Sequence, residues 1–315
     1  SSDLKMSASF TGCKTEGEAI MNQAYFDAVI RRYQKMEELD PGWNRNSLKH
    51  LNWVLRLYGG NADFKVQAGC LYRRDWKSLS NYYYQCTRYN LFPTLMHFDY
   101  TVVQFWDALT AIALGDHDSF EHIFPKDEPL EKLIKDSKGA HPLVREGRIL
   151  LVGLWYQNKQ ILEYTIPKAQ MYLARKYPKP DLALVAYMLA LHEHDVARAG
   201  ECLETACQIT RSAEWEPEEK KPWIYGHGLY RLAARVLPED EFNRLPMPNY
   251  KTFCKEYAQW CNSHHEPLQL YAPFPEPVSF LNDMFTANYR SYPWIGLDEV
   301  PCHLIPPEWG ELLYL

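Results

Sequence analysis

Three stretches in the middle third of this chain share one pattern: an apolar helical face, a short polar break, and a second apolar helical face. They are residues 106–124 (WDALTAIALGDHDSFEHIF), 148–166 (RILLVGLWYQNKQILEYTI) and 183–203 (ALVAYMLALHEHDVARAGECL). The breaks fall at Gly115-Asp116, Gln157-Asn158 and His194-Asp195. Their spacing of roughly 40 residues is the period of stacked helical hairpins. One hairpin cannot bury its own apolar face, so neighbours stack and leave an extended surface. The expectation is an all-α protein of stacked antiparallel helical hairpins, a helical-repeat-like array. Such surfaces more often bind proteins than perform chemistry.

Helical periodicity extends on both sides of the repeats. Residues 18–38 read as a helix of about five turns, stopped by Asp40-Pro41-Gly42, and 46–58 as a second, stopped by Gly59-Gly60. Residues 64–89 read as a third, although the run Tyr82-Tyr83-Tyr84 also suits a strand. Pro167 is expected to kink the helix over 161–177 or restart it. Asp181 is expected to cap a helix over 182–191, with a returning helix over 196–210. Two further helices are expected over 222–237 and 250–262. After Pro267 the character changes, with eight prolines in the last 49 residues and many large aromatics among them. Disordered tails are poor in large aromatics, so this end should be ordered. The expected organisation is a helical-array domain over 1–266 and an irregular Pro/aromatic-rich extension over 267–315 packed on the same domain.

Composition narrows the function classes. The longest apolar run, ILLVGLW at 149–155, is too short to span a bilayer. The first 20 residues carry no apolar signal core, so a cytoplasmic location is expected. None of the eight cysteines forms a C-x-x-C pair, and the set reads as free thiols in a reducing compartment, mostly core residues. The net charge of −6 hides an asymmetry. Residues 43–90 carry eight Lys/Arg against two acids, residues 107–136 eight acids against three Lys, and residues 267–315 six acids against Arg290. Acidic segments rich in aromatics suit a basic protein partner. The basic segment could instead face the acidic ones within the fold.

No constellation of reactive residues rises above the background. His192 and His194 are two apart, so on a helix they point about 200° from each other and cannot share a zinc ion as histidines four apart would. Asp116-His117-Asp118 and Glu121-His122 fill the equivalent turn of the first hairpin, where polar residues are expected. His264-His265 lies at a helix end, where histidine suits the dipole, and nothing in the sequence activates Cys254 or Cys261 beside it. Gly226-His227-Gly228 lacks the preceding strand and third glycine of a dinucleotide fingerprint. The aromatics interleaved with the basic residues of 43–90 fall mostly at helical spacing, so core packing explains them better than base stacking. Neither a metal, a cofactor nor a nucleic acid is expected.

Three segments resemble the immunity protein 49 family of bacterial polymorphic-toxin systems. They are residues 105–124 (FWDALTAIALGDHDSFEHIF), 184–211 (LVAYMLALHEHDVARAGECLETACQITR) and 223–248 (WIYGHGLYRLAARVLPEDEFNRLPMP), spread over about half the chain. The resemblance stops before the tail that follows Pro267. It implies a non-enzymatic inhibitor that binds and neutralises a co-encoded toxin in the producing cell's cytoplasm, and it brings no catalytic residues.

The leading expectation is therefore stoichiometric inhibition of a toxin by occlusion, with an acidic, aromatic-bearing face covering a basic site. The candidate partner-binding residues are Tyr289, Tyr292, Trp294, Asp298 and Glu299 in the tail, with Asp116 and Asp118 at the first hairpin turn. The alternatives are a helical-repeat scaffold or adaptor, and a metal-dependent α-helical enzyme using the histidine-rich turns.

Overall fold

The computed structural model describes residues 14–39, 42, 64–96, 101–137, 142–208, 221–264 and 266–288, and among these it shows fourteen helices and no strand. They are α1 (Lys14–Leu39), α2 (Phe64–Arg73), α3 (Trp76–Met96), α4 (Thr101–Leu114), α5 (His117–Ile123), α6 (Leu130–Asp136), α7 (Pro142–Tyr156), α8 (Lys159–Leu173), α9 (Lys179–His192), α10 (Val196–Ala206), α11 (Ile224–Val236), α12 (Glu239–Phe242), α13 (Lys255–Ser263) and α14 (Phe280–Thr286). The fold class is all-α.

The three breaks expected from the sequence are three copies of one turn, and a fourth copy lies at Arg74-Asp75. The first helix of each pair ends on a residue with positive φ: Arg74 (54°), Gly115 (73°), Gln157 (50°) and His194 (58°). The N–H of the next residue reaches back over the helix end, from Asp75 to the carbonyl of Cys70, Asp116 to Ala111, Asn158 to Gly153 and Asp195 to Ala190, each at 2.9 Å. That same residue then caps the following helix. The Oδ1 atoms of Asp75, Asp116, Asn158 and Asp195 accept from the N–H groups of Ser78, Ser119, Ile161 and Arg198 at 3.0 to 3.2 Å. A left-handed C-terminal turn and an N-cap are thus fused into two residues, which satisfies orphan groups at both helix ends. The dyad needs a residue that tolerates positive φ followed by Asp or Asn, a weak signal that only glycine makes obvious. Three of the four copies lack glycine in the first position.

The fourth turn divides the helix expected over 64–89 into α2 and α3, and the triple-tyrosine run is helical within α3. Pro167 does not restart a helix: α8 runs through it. The buried residues Ile161, Thr165, Ala169 and Tyr172 keep both halves of α8 on one face, so tertiary packing overrides the local cost of proline. Asp181 sits in the first turn of α9 rather than at its cap, because Pro178 takes that position and Pro180 is tolerated in a first turn. α10 ends at Ala206 and α13 starts at Lys255, both shorter than the periodicity predicts. The helix expected over 46–58 lies outside the described residues.

α9 is the hub of the array. Leu184, Val185, Tyr187, Met188, Leu189, Ala190 and Leu191 are all buried, as an all-round apolar helix requires. It packs against α7, α8 and α10, while α4 packs against α3, α5, α7 and α11. The Tyr187 hydroxyl donates to the carbonyl of Leu229 at 2.8 Å and fastens α11 to the hub. The stretch that follows α13 returns over α3 and α1. Phe285 stacks on Tyr89 (6.5 Å between ring centres), Phe274 meets Phe26 (5.7 Å) and Phe280 meets Tyr33 (5.6 Å). Phe274 and Phe285 are buried in the main core, so these tail aromatics are packing residues.

The core carboxyl of Asp107 titrates far from its ordinary range. Asp107 on α4 is buried; its Oδ1 accepts from Asn90 Nδ2 at 3.0 Å, and its Oδ2 has no hydrogen-bond partner among the described residues. Burial raises its pKa from 3.8 to about 7, with the Asn90 bond opposing. A carboxyl with a raised folded pKa binds its proton more tightly in the native state, so its contribution to stability is full below about pH 4 and is lost as pH rises to about 7. Asp107→Asn removes this loss. In urea melts, the stability of the variant relative to the wild type is expected to rise by about 1.4 kcal/mol per pH unit between about pH 4 and 7. A difference independent of pH would show that Asp107 is not buried in this way.

Candidate functional site

A polar cleft of about 470 Å³ opens at the first hairpin turn, the one that contains Asp116 and Asp118. Its walls come from α3, the α4–α5 turn, α11, the end of α13 and the start of the returning segment.

The floor is a buried ion pair between the basic and acidic segments of the sequence. Arg88 on α3 donates from Nε to Asp116 Oδ2 at 3.1 Å and from Nη2 to Asp116 Oδ1 at 2.9 Å. Both side chains are at most 5% exposed. Arg88 also donates from Nη1 to the carbonyl of Ala287 at 2.9 Å, and its guanidinium lies over the Tyr84 ring at 5.0 Å. The Ser119 hydroxyl donates to Asp116 Oδ2 as well. Asp116, expected at a partner interface, is thus turned inward: one carboxylate caps α5, neutralises Arg88 and fixes a contact to the tail. A bidentate arginine–carboxylate pair of this kind holds its position firmly.

The rim is built differently. Asp118 is exposed and has no cation partner among the described residues. It lies close enough to Tyr84 to help burial raise the pKa of that phenol, whose largest perturbation is burial itself. Arg231 on α11 is half-buried. Its Nη1 donates to the carbonyl of Ala113 at 2.9 Å, and it has no carboxylate partner among the described residues. The positive φ of Gly115 sets the turn, and a side chain there would start 3.3 Å from Arg231 Nη2. The turn glycine therefore also leaves room for the guanidinium. Glu266 on the opposite rim is held by Lys77 at 2.5 Å. His117 and His264 are exposed, each against a tryptophan, at 5.3 Å from Trp155 and 4.9 Å from Trp260. With Arg88–Asp116 and Lys77–Glu266 paired, Arg231 and Asp118 line the cleft with no counter-charge among the described residues.

The tail candidates Tyr289, Tyr292, Trp294, Asp298 and Glu299 lie outside the described residues. Of the site residues expected from the sequence, the cleft brings together Asp116 and Asp118. Arg88, Arg231 and Tyr84 were not singled out. The charge asymmetry between 43–90 and 107–136 was a signal for Arg88, whereas nothing in the local sequence marks Arg231. No group of three or more His, Cys, Asp or Glu side chains among the described residues is arranged to hold a metal ion. Six described cysteines are free, and Cys254 caps α13 while Cys261 lies within it, both buried. Burial pushes both thiols up, Cys261 to about 11. His227 is buried against Phe253 and Tyr257, and its Nε2 accepts from the Cys254 N–H at 3.3 Å. Burial lowers its pKa to about 3, so it stays neutral in the core. No helix of the described residues is long and apolar enough to cross a membrane. Comparison with protein-family models, curated proteins and solved structures gives no match for this chain.

Proposed function

We propose that this chain is a non-enzymatic, stoichiometric protein binder, in its most concrete form an immunity protein that neutralises a cognate toxin in the cytoplasm by covering its active site. The observation that carries this reading is the mouth of the cleft. Its floor is fixed by the buried Arg88–Asp116 pair and its rim carries the exposed Lys77–Glu266 pair, yet Asp118 stays exposed and without a cation partner among the described residues. A rigid, partly desolvated pocket with an unpaired charge at its edge suits a partner's cation, and rim charges speed capture. The stacked-hairpin architecture supports the same reading, since its extended surfaces serve recognition.

The test is affinity capture from the native host with this chain as bait, followed by co-expression. One stoichiometric partner, encoded beside this gene and lethal alone but harmless with this chain, is the expected result. Asp118→Lys is expected to weaken that complex at least tenfold, about 1.4 kcal/mol, without shifting the melting temperature. Several unrelated partners would replace the inhibitor reading with that of an adaptor. Metal-dependent turnover lost on mutating His117 would replace it with an enzyme.

A further inference from the structure

Arg231 does more than its structural duty requires. The bond from Nη1 to Ala113 O satisfies one carbonyl at the end of α4 and uses one of the five N–H donors of the guanidinium. Nη2 and Nε have no partner among the described residues, although the side chain is half-buried and lines the cleft. Withdrawing a guanidinium from water is unfavourable unless an anion compensates it. Every other guanidinium or ammonium in the cleft wall is already compensated: Arg88 by Asp116, and Lys77, next to it, by Glu266. The Tyr84 phenol lines the same space. Gly115 lets the guanidinium seat against the turn, with Nη2 3.3 Å from where a Cβ would stand, and there Arg231 lines the cleft.

We infer that Arg231 is the anchor of a carboxylate-binding site, which takes the planar oxyanion on its Nε–Nη2 edge. The fork geometry of guanidinium matches a carboxylate in a bidentate pair. Asp118 stands at the same mouth and weakens the hold on any anion there. This rests on the protein-binding reading for the source of the anion, an acidic side chain of the partner. The cleft would then read the partner's charges in both signs, carboxylate on Arg231 and cation on Asp118, which discriminates better than a uniformly acidic face.

The probe is sodium acetate, titrated against chloride at constant ionic strength into the full chain alone, with the side-chain Nε–Hε resonance of Arg231 followed by NMR. A saturable shift at millimolar acetate is expected, absent from the exposed Arg244. Asp118→Asn should tighten acetate roughly threefold by removing the neighbouring negative charge, an effect that a purely structural arginine would not produce. Arg231→Lys, which keeps the charge, should weaken acetate at least tenfold, read in both proteins from the backbone amide resonance of Gly115. An unsaturable Arg231 shift no larger than that of Arg244, or no response to Asp118→Asn, would overturn the assignment. The protein-binding reading fails separately: acetate bound at Arg231 with no stoichiometric partner in the capture experiment would sink that reading and leave the carboxylate site standing.

Discussion

Asp116→Ala is expected to destabilise the protein by about 3–5 kcal/mol, the cost of leaving a buried charge unpaired. Native domains are stable by only 5–15 kcal/mol, so much of the margin goes with this one carboxylate. Three losses coincide. Arg88, 3% exposed, loses both bonds to its counter-ion. α5 loses its cap at Ser119. The buried Ser119 hydroxyl loses its acceptor. Because Arg88 also holds the carbonyl of Ala287, the returning segment should loosen as well. Hydrogen exchange around residues 284–287 is therefore expected to speed up in the variant. Chemical denaturation measures the main effect. The double variant Arg88→Met/Asp116→Ala should recover part of it, since the burial penalty of the lone cation is removed. A single-variant cost below about 1 kcal/mol, the size of a lost cap alone, would mean that the pair is hydrated rather than buried.

Gly228→Ala is expected to be at least as damaging and to prevent accumulation of soluble protein. At this position α11 crosses α4 so closely that an added Cβ would stand 2.0 Å from the carbonyl oxygen of Leu109 and 2.7 Å from its carbon. The obstacle is backbone, so no side-chain rotation relieves it. The two helices would have to part by more than an ångström, opening the core that contains Leu109, Leu229 and Leu232. Loss of such packing costs several kcal/mol. Gly147→Ala is the control. It also places a methyl in a helix, but the nearest atoms are the Phe105 ring at 3.3 Å and Met188 Cε at 3.4 Å, which can shift by tenths of an ångström. Alanine is favoured over glycine in a helix by about 1 kcal/mol, so the control should be close to neutral. A Gly228→Ala protein that melts like the wild type would show that the α4–α11 crossing is wider than described.

The connection between this crossing and the cleft is short. Arg231 lies one helical turn beyond Gly228 on α11, and its bond to Ala113 lies on α4 beyond Leu109. The close approach that forbids a side chain at 228 is what brings the guanidinium to the α4–α5 turn. A site residue of this kind leaves no local trace. Arg231 sits in the sequence LYRLAARV like any helical arginine, and only the helix crossing gives it a cleft.

Much of the fold was legible because it is written in local chemistry. The apolar periodicity of 106–124, 148–166 and 183–203 marks helix pairs, whereas the breaks read only as polar turns and the one expected cap, Asp181, lies inside the first turn of α9. The turn at Arg74-Asp75 escaped notice because neither residue is a strong breaker. Arg74 takes a positive φ at a cost of roughly 1–2 kcal/mol that the caps and the packing of α2 on α3 offset. Pro167 misled in the opposite direction, since a buried stripe spanning it outweighs a local rule. The candidate site was half legible: the turn was found, but Asp116 and Asp118 looked equivalent. One is 6% exposed and spent on Arg88, and the other is exposed and uncommitted.

The sequence by itself determined that this chain is helical, where its hairpins turn, and which of its faces must be buried. Those properties depend on contacts within a few residues: periodicity, capping and the tolerance of positive φ. Only the tertiary structure decided which charges are spent inside the fold and which remain to meet another molecule. That choice depends on pairs far apart in the chain, Arg88 with Asp116, Lys77 with Glu266, and Arg231 with Ala113, whose distances no local pattern encodes.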